Sequence, residues 1–351
     1  MKKTLISASV ASVLTLVSFA TLAEGPNFYG RLDLSVANSD EGATTQNGKE
    51  GTVLENNFSN LGVKGSERIS DGFEMLYKME FQVENTTQTE GKNDSDEVVF
   101  KARNTYLGLK TNAGTVLVGR NDTVFKQTEG GVDLFGNTNG DIDRLVDDQD
   151  RVADAIWYYS PVIAGRVTLN ATYLMEDNYT DPDGNESYED QYALSATVGD
   201  KKLQAHTYYV AAGYNTINGT DAYRGVAQFK LGEFKLGGLY QNTESQTTDQ
   251  EGDSFLVNLS YNLNGVNLKA EYGEDDAGYG KYFKNSVSNA GSVTGTDINV
   301  TQITVGADYR VSKSTLVYGH YAMYEGDHKV ALAKVDLEDD NIFTVGVRYD
   351  F

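Results

Sequence analysis

Cysteine is absent from the 351 residues. Disulfide staples and thiolate metal sites are therefore excluded. Histidine is scarce, and His206, His320 and His328 are too scattered to suggest a metal cluster. No Gly-x-Ser-x-Gly elbow is present to hold an activated serine, so neither an enzyme nor a cofactor is expected. Only 3 prolines occur, which suits strands whose every backbone N–H must donate to a ladder. After residue 23 no run of about 18 apolar residues is found, so no helix is expected to span a bilayer. Positive charge is also short: 29 Lys and Arg face 51 Asp and Glu, a formal charge of −22. A chain this acidic repels nucleic acid and bare anionic surfaces.

The first 23 residues differ from the rest. Lys2 and Lys3 precede an apolar run from Leu5 to Ala20, and Thr21-Leu22-Ala23 supplies small residues for cleavage. This is the pattern of a secretory signal peptide. Residues 24–351 then form one domain. The signal carries two basic and no acidic residues, so the remainder carries −24.

What the chain has in quantity is glycine, tyrosine and alternation. There are 36 Gly and 23 Tyr. Phe73, Met75, Tyr77, Met79, Phe81 and Val83 are apolar, while Glu74, Lys78, Glu80 and Gln82 lie between them, with Leu76 the one exception. Successive strand side chains point to opposite faces, so one face is greasy and the other charged. The rhythm recurs at Val266, Leu268, Ala270 and Tyr272 and at Ile303, Val305, Ala307 and Tyr309. About sixteen such segments follow from this count: 27–37, 59–67, 73–84, 98–110, 115–120, 152–160, 165–175, 190–199, 201–212, 221–231, 233–242, 253–263, 265–273, 301–311, 313–324 and 341–351. Tight turns such as Asn112-Ala113-Gly114, Gly199-Asp200 and Asn264-Gly265 alternate with long polar connections at 38–58, 85–97, 121–150, 176–189, 243–252, 274–300 and 325–340. Short turns on one side and long loops on the other mark an outer-membrane barrel. A soluble sandwich of this size would show a domain break, and a soluble barrel would put its apolar face inside.

The last segment is the most specific. Phe343, Val345, Val347, Tyr349 and Phe351 occupy every second position, with Thr344, Gly346, Arg348 and Asp350 between them. A closing strand needs such an apolar outer face with an aromatic at the membrane interface.

With that strand in place, the chain resembles the Gram-negative general porins over essentially all of residues 24–351. Phe28-Tyr29-Gly30-Arg31-Leu32 is similar to the family's first strand, and Leu61-Gly62-Val63-Lys64-Gly65-Ser66-Glu67 to its second. Arg103-Asn104-Thr105-Tyr106-Leu107-Gly108-Leu109 and Val118-Gly119-Arg120-Asn121-Asp122 resemble the fourth and fifth. Trp157-Tyr158-Tyr159-Ser160-Pro161, Asp221-Ala222-Tyr223-Arg224 and Tyr349-Asp350-Phe351 complete the set. The resemblance implies an all-β, 16-stranded antiparallel transmembrane barrel whose third long loop, here about 121–150, folds into the lumen. It also implies a homotrimer in outer-membrane lipid and lipopolysaccharide, assembled by machinery that recognises the C-terminal strand. Its function would be passive diffusion of small hydrophilic solutes.

The expected constriction follows from that loop. Residues 122–150 carry eight carboxylates against Lys126 and Arg144, a formal charge of −6. Glu129, Asp133, Asp141 and Asp143 are the candidate acids, and Glu129-Gly130-Gly131 can bend sharply because glycine accepts unusual backbone angles. Carboxylates facing a basic wall across a narrow gap order water and polar solutes. By the family's pattern the basic wall is Lys64, Lys78, Arg103 and Arg120. Alternation turns Lys64 and Lys78 to the lumen and leaves Arg103 and Arg120 open, since a bulge could shift either. The chain has Asn60 and Tyr158 where enterobacterial members carry further wall arginines. An acidic loop and fewer wall cations suggest cation preference. The other readings are a sugar-specific channel using Tyr29, Tyr106 and Tyr318, and an adhesin or phage-receptor barrel acting through its loops. Asp181 to Glu186 suits a hard cation by composition, but its register is that of a solvated loop.

Overall fold

The computed structural model describes residues 25–84, 86, 99–175, 191–291 and 295–351. The expected signal peptide and the Asp181–Glu186 stretch lie outside them. Among the described residues eighteen antiparallel strands form one sheet closed on itself. They are β1 (Asn27–Ser39), β2 (Gly51–Asn56), β3 (Asn60–Ser70), β4 (Phe73–Val83), β5 (Phe100–Thr111), β6 (Gly114–Asp122), β7 (Arg151–Tyr159), β8 (Val167–Leu174) and β9 (Tyr192–Gly199). The chain continues through β10 (Tyr208–Asn215), β11 (Thr220–Leu231), β12 (Phe234–Ser245), β13 (Glu251–Leu263), β14 (Val266–Asp275), β15 (Thr296–Arg310), β16 (Thr315–Val330), β17 (Ala333–Asp336) and β18 (Asp340–Asp350). Two staves are interrupted. β1 pairs with β3 through Asn27–Arg31 and with β2 through Leu34–Ser39, and β16 pairs with both β18 and β17. Counting each interrupted stave once leaves sixteen around the barrel. Closure comes from nine register pairs, from Arg31 opposite Asp350 to Ser39 opposite Ile342.

The two faces separate as alternation requires. On β18, Phe343, Val345 and Val347 are about half exposed on the outer surface, while Thr344 between them is fully buried inside. Leu32 and Val36 of β1, Met79 and Phe81 of β4, and Val257 and Leu259 of β13 extend the same apolar exterior. A soluble protein rarely shows so continuous an apolar surface, whereas lipid covers it without cost. Phe351 stacks on Tyr349 and exchanges two backbone hydrogen bonds with Gly30, at 2.9 and 3.0 Å. Its ring occupies the space a side chain at position 30 would need, 2.3 Å from the site of a Cβ. A larger residue there would have to displace that ring.

Four segments differ from the sequence expectation. The connections expected at 38–58 and 325–340 contain β2 and β17. The 274–300 connection contains the helix α1 (Lys281–Asn289) and the start of β15. The strand expected at 201–212 begins only at Tyr208, because Asp200 accepts the backbone N–H of Lys202, Gln204 and Ala205 at 2.7–2.9 Å and curls the chain into a turn. His206 is consequently not on a strand.

Candidate functional site

The segment after β6 is fastened to the inner wall by side chains that alternation points inward. Its base is set by Trp157, fully buried, whose indole N–H donates to the Asp122 carbonyl at 3.0 Å. The Val124 N–H donates to the Thr172 hydroxyl, the Tyr209 hydroxyl to the Thr128 carbonyl, and the Asn258 amide to the Val132 carbonyl. Lys269 then donates to the Leu134 carbonyl at 2.8 Å, Gln302 to that of Gly140, and Tyr324 to that of Asn139 at 2.7 Å. The partners lie in sequence on β8, β10, β13, β14, β15 and β16, so the segment follows the inner circumference. Loop carbonyls that would otherwise be buried without donors are satisfied by the wall. Phe125 sits 4.2 Å from the Arg224 guanidinium, a cation–π contact. The bend at Gly130 takes φ +65°, and a Cβ there would lie 2.6 Å from the Tyr209 ring.

The segment's far end joins an apolar core with other connections. Ile142, Leu145 and Val146 pack with Tyr282, Phe283 and Val287 of α1, and with Ile298, Val300 and Leu337. Lys281 pairs with Asp143, and Lys284 with Asp147 at 3.3 Å. The Tyr282 ring stacks on Tyr324, 5.3 Å between centroids. One side of the long-loop end is thus sealed by side-chain packing.

The opposite side holds a cavity of about 340 Å³. Arg31, Lys64, Lys78, Arg103 and Lys201 line it against Glu80, Asp122 and Asp350. Glu80 is its hub. It accepts from the Tyr29 hydroxyl at 2.8 Å, from Arg103 Nε at 2.8 Å and from Lys78 Nζ at 3.0 Å. Lys64 and Lys78 face each other in register across β3 and β4, with their ammonium groups 5.1 and 5.9 Å from the Tyr29 ring centre. Arg103 reaches the lumen through a register irregularity opposite Glu80, between the pairs Met79–Thr105 and Phe81–Ala102. An extra residue in one strand is what lets Arg103 and Tyr106 share a face.

The remaining wall candidate is placed differently. Arg120 pairs in register with Thr105, whose neighbour Leu107 faces outward, and it does not line this cavity. Asn60 lines the cavity. Tyr158 does not reach the lumen: it is 41% exposed on the outer face and donates to the Ala113 carbonyl, while Trp157 and Tyr159 on either side point inward. Tyr29 and Tyr106 are buried on the wall, and the Tyr318 hydroxyl donates to Asp33 at 2.7 Å. These three do not form a continuous aromatic track.

The four candidate acids do not line this cavity; Asp143 pairs with Lys281 of α1, and the other three bond within their own segment. Asp133 accepts the Phe135 N–H at 3.1 Å, and Asp141 accepts those of Asn137 and Asp143. Turning the Gln149 amide gives Glu129 a donor at 2.8 Å and lets the amide oxygen accept from Arg224. Burial pushes Glu129 up to about 7, aided by repulsion from Asp141. Asp141 is pushed up to about 6 by burial and by Asp143. Burial also raises Asp133, with Asp141 and Glu129 adding to it. For Asp143 burial opposes ionisation, but Arg144 and Lys281 outweigh it and hold the group below the usual carboxylate range. Asp122 is the loop acid that does line the cavity, paired with Arg151 at 3.0 Å. Glu80, Arg31, Arg151 and Lys201 were not among the expected site residues. Alternation marks Glu80 as inward-facing, and the other three needed the tertiary fold.

Among the described residues no group of His, Asp and Glu is arranged to hold a metal ion.

Comparison with known proteins agrees with this architecture. The sequence profile described as Gram-negative porin matches residues 8–329. The outer membrane porin protein OmpD of Salmonella typhimurium is 26% identical, with 100% of each chain covered. The major outer membrane protein P.IB of Neisseria lactamica is 25% identical over 90% of this chain and 91% of its own. Among solved structures, an anion-selective porin from Comamonas acidovorans superposes with a TM-score of 0.70 at 20% identity, covering 93% of this chain and 100% of that one. OmpF of Salmonella typhi, solved with daunomycin, gives 0.68 at 15% identity, covering 93% and 98%. At these identities the superpositions show the fold alone.

Proposed function

Because the chain belongs to the Gram-negative porin family, a family of outer-membrane channels, we propose that it is a general diffusion channel for small hydrophilic solutes, with a modest preference for cations. One observation carries this reading. The wall between β1 and β6 lines its cavity with charged and amide groups, while a carboxylate-rich segment is fixed across from it. Opposed charges across a wet gap keep water oriented, so polar solutes pass and apolar ones must disrupt that water. Passive passage of this kind makes and breaks no bond.

Eight carboxylates against two cations on the inner segment support cation preference. Two features moderate it: Glu129 and Asp141 titrate near neutrality, and the facing wall is basic. We take Lys64, Lys78 and Arg103 as the wall cations of the passage, with Asp122 and the Glu129–Asp143 region opposite. The trimer, the lipopolysaccharide contacts and recognition of the C-terminal strand by the assembly machinery belong to the same proposal. So does removal of residues 1–23 on export, leaving 24–351 as the barrel. The apolar exterior supports the lipid contact, and the outward row from Phe343 to Phe351 supports the last.

Liposome swelling tests the function. Vesicles carrying the protein should swell in isotonic sugars at rates that fall steadily with sugar size. Failure to admit even small monosaccharides would contradict the reading. Rapid entry of one sugar with exclusion of its size-matched isomers would replace it with a substrate-specific channel.

A further inference from the structure

The turn between β9 and β10 does more than connect two strands. Short turns of an outer-membrane barrel ordinarily stay at the rim. Residues 200–207 instead fold inward beneath the inner segment. Leu203, 4% exposed, joins the core cluster that contains Val132. The Lys201 carbonyl lies 3.2 Å from where a Cβ on Gly131 would sit. Asp200 holds the curl with its three backbone hydrogen bonds.

This fold lifts Lys201 to a junction. A second cavity of about 340 Å³ lies against β8–β10 and the turn, lined by Arg166, Asn170 and Tyr209 among others. It shares three lining residues with the cavity beside Glu80: Gln127, Tyr159 and Lys201. Gln127 and Tyr159 are tied together by a 2.9 Å hydrogen bond. The two cavities therefore adjoin at a waist formed by a fixed amide–phenol pair and Lys201. Four other cations on this side are paired at contact distance: Arg31 with Asp350, Lys78 and Arg103 with Glu80, Arg151 with Asp122. Lys201 has no salt-bridge partner among the described residues.

We infer that Lys201, delivered by the inward-folded turn, is a specificity-determining residue of the passage, drawing anionic groups through the waist and restraining cations there. The inference rests on the channel reading above. A cation without a contact partner, placed where two cavities adjoin, acts on every ion that passes between them.

The absence of cysteine elsewhere makes a direct test possible. Lys201→Cys in the full-length protein, reconstituted into planar bilayers, is labelled in separate samples with a cationic and an anionic thiosulfonate reagent. Both samples contain the same folded variant, so a folding defect cannot produce a difference between them. The cationic label should reproduce the wild-type ratio of potassium to chloride permeability. The anionic label should raise it by about twofold or more, and Lys202→Cys should respond less. Equal ratios for the two labels, with complete modification shown by mass spectrometry, would overturn the inference and leave the channel reading standing. A wild-type protein that passes no current would overturn both.

Discussion

Glu80 illustrates how one carboxylate organises a charged wall. Three donors converge on it: the Tyr29 hydroxyl, Lys78 and Arg103. Glu80→Ala leaves two cations and a hydroxyl to be satisfied by water alone. In a water-filled cavity, as the channel reading requires, the cost should be about 1–2 kcal/mol rather than that of a dry buried pair. The electrical effect is clearer: removing the negative hub should shift the reversal potential in a salt gradient toward anions. An unchanged potential would show that Glu80 is remote from the ion path. The inner segment adds a pH dependence. A carboxyl group raised to about 7 at Glu129, or to about 6 at Asp141, is neutral below that value and anionic above it. Cation preference should therefore grow from pH 5 to pH 8, and Glu129→Gln should flatten the upper part of that rise. A permeability ratio independent of pH over this interval would contradict the placement of these groups beside the ion path. Residue by residue, legibility was uneven. Lys64 and Lys78 follow from period-two alternation alone. Arg103 does not, because its orientation depends on the irregularity opposite Glu80. Arg120 sits beside a similar irregularity, between Gly119 and Asn121.

At the scale of elements, α1 is what the sequence concealed. Residues 281–289 lie in a connection whose polar composition suggested a plain loop. The helix forms because Tyr282, Phe283 and Val287, spaced for one helical face, meet apolar side chains of the inner segment and of β15. Its two lysine–aspartate pairs are partly exposed and should contribute little, together about 1 kcal/mol or less. The buried ring is a different matter. Tyr282→Ala removes a fully buried side chain stacked on Tyr324, and such truncations cost about 3–5 kcal/mol. That is enough to free the helix while the barrel stays closed. Amide hydrogen exchange across 281–289 should accelerate strongly in Tyr282→Ala and only slightly in Lys281→Ala. Equal protection in both would mean that the ring does not hold the helix. The turn after β9 departs from the expected strand for a related reason. Leu203, Ala205 and Thr207 continue a strand-like alternation, but Asp200 captures three backbone donors that a strand would have used. Local hydrogen bonding of this kind competes directly with ladder formation.

For the whole molecule, the barrel was legible because one rule repeats around it. Strand after strand turns an apolar row outward, as the final strand does at Phe343, Val345 and Val347. Most expected boundaries fall within a few residues of the observed strands, since alternation ends where pairing ends. The interior was less legible. A lumen filled by its own connections depends on contacts between residues far apart in sequence, such as Tyr324 with Asn139 and Lys281 with Asp143. Composition fixes the charge of such segments but not which carboxylates meet water.

The central claim is an open aqueous passage through the barrel. Its most direct test is single-channel recording of the purified protein in a planar bilayer under a salt gradient. The account predicts large, long-lived open steps, grouped in threes for a trimer, with a reversal potential that favours cations. Absent or very small conductance would contradict it, and would mean that the inner segment, α1 and the turn at 200–207 together plug the barrel.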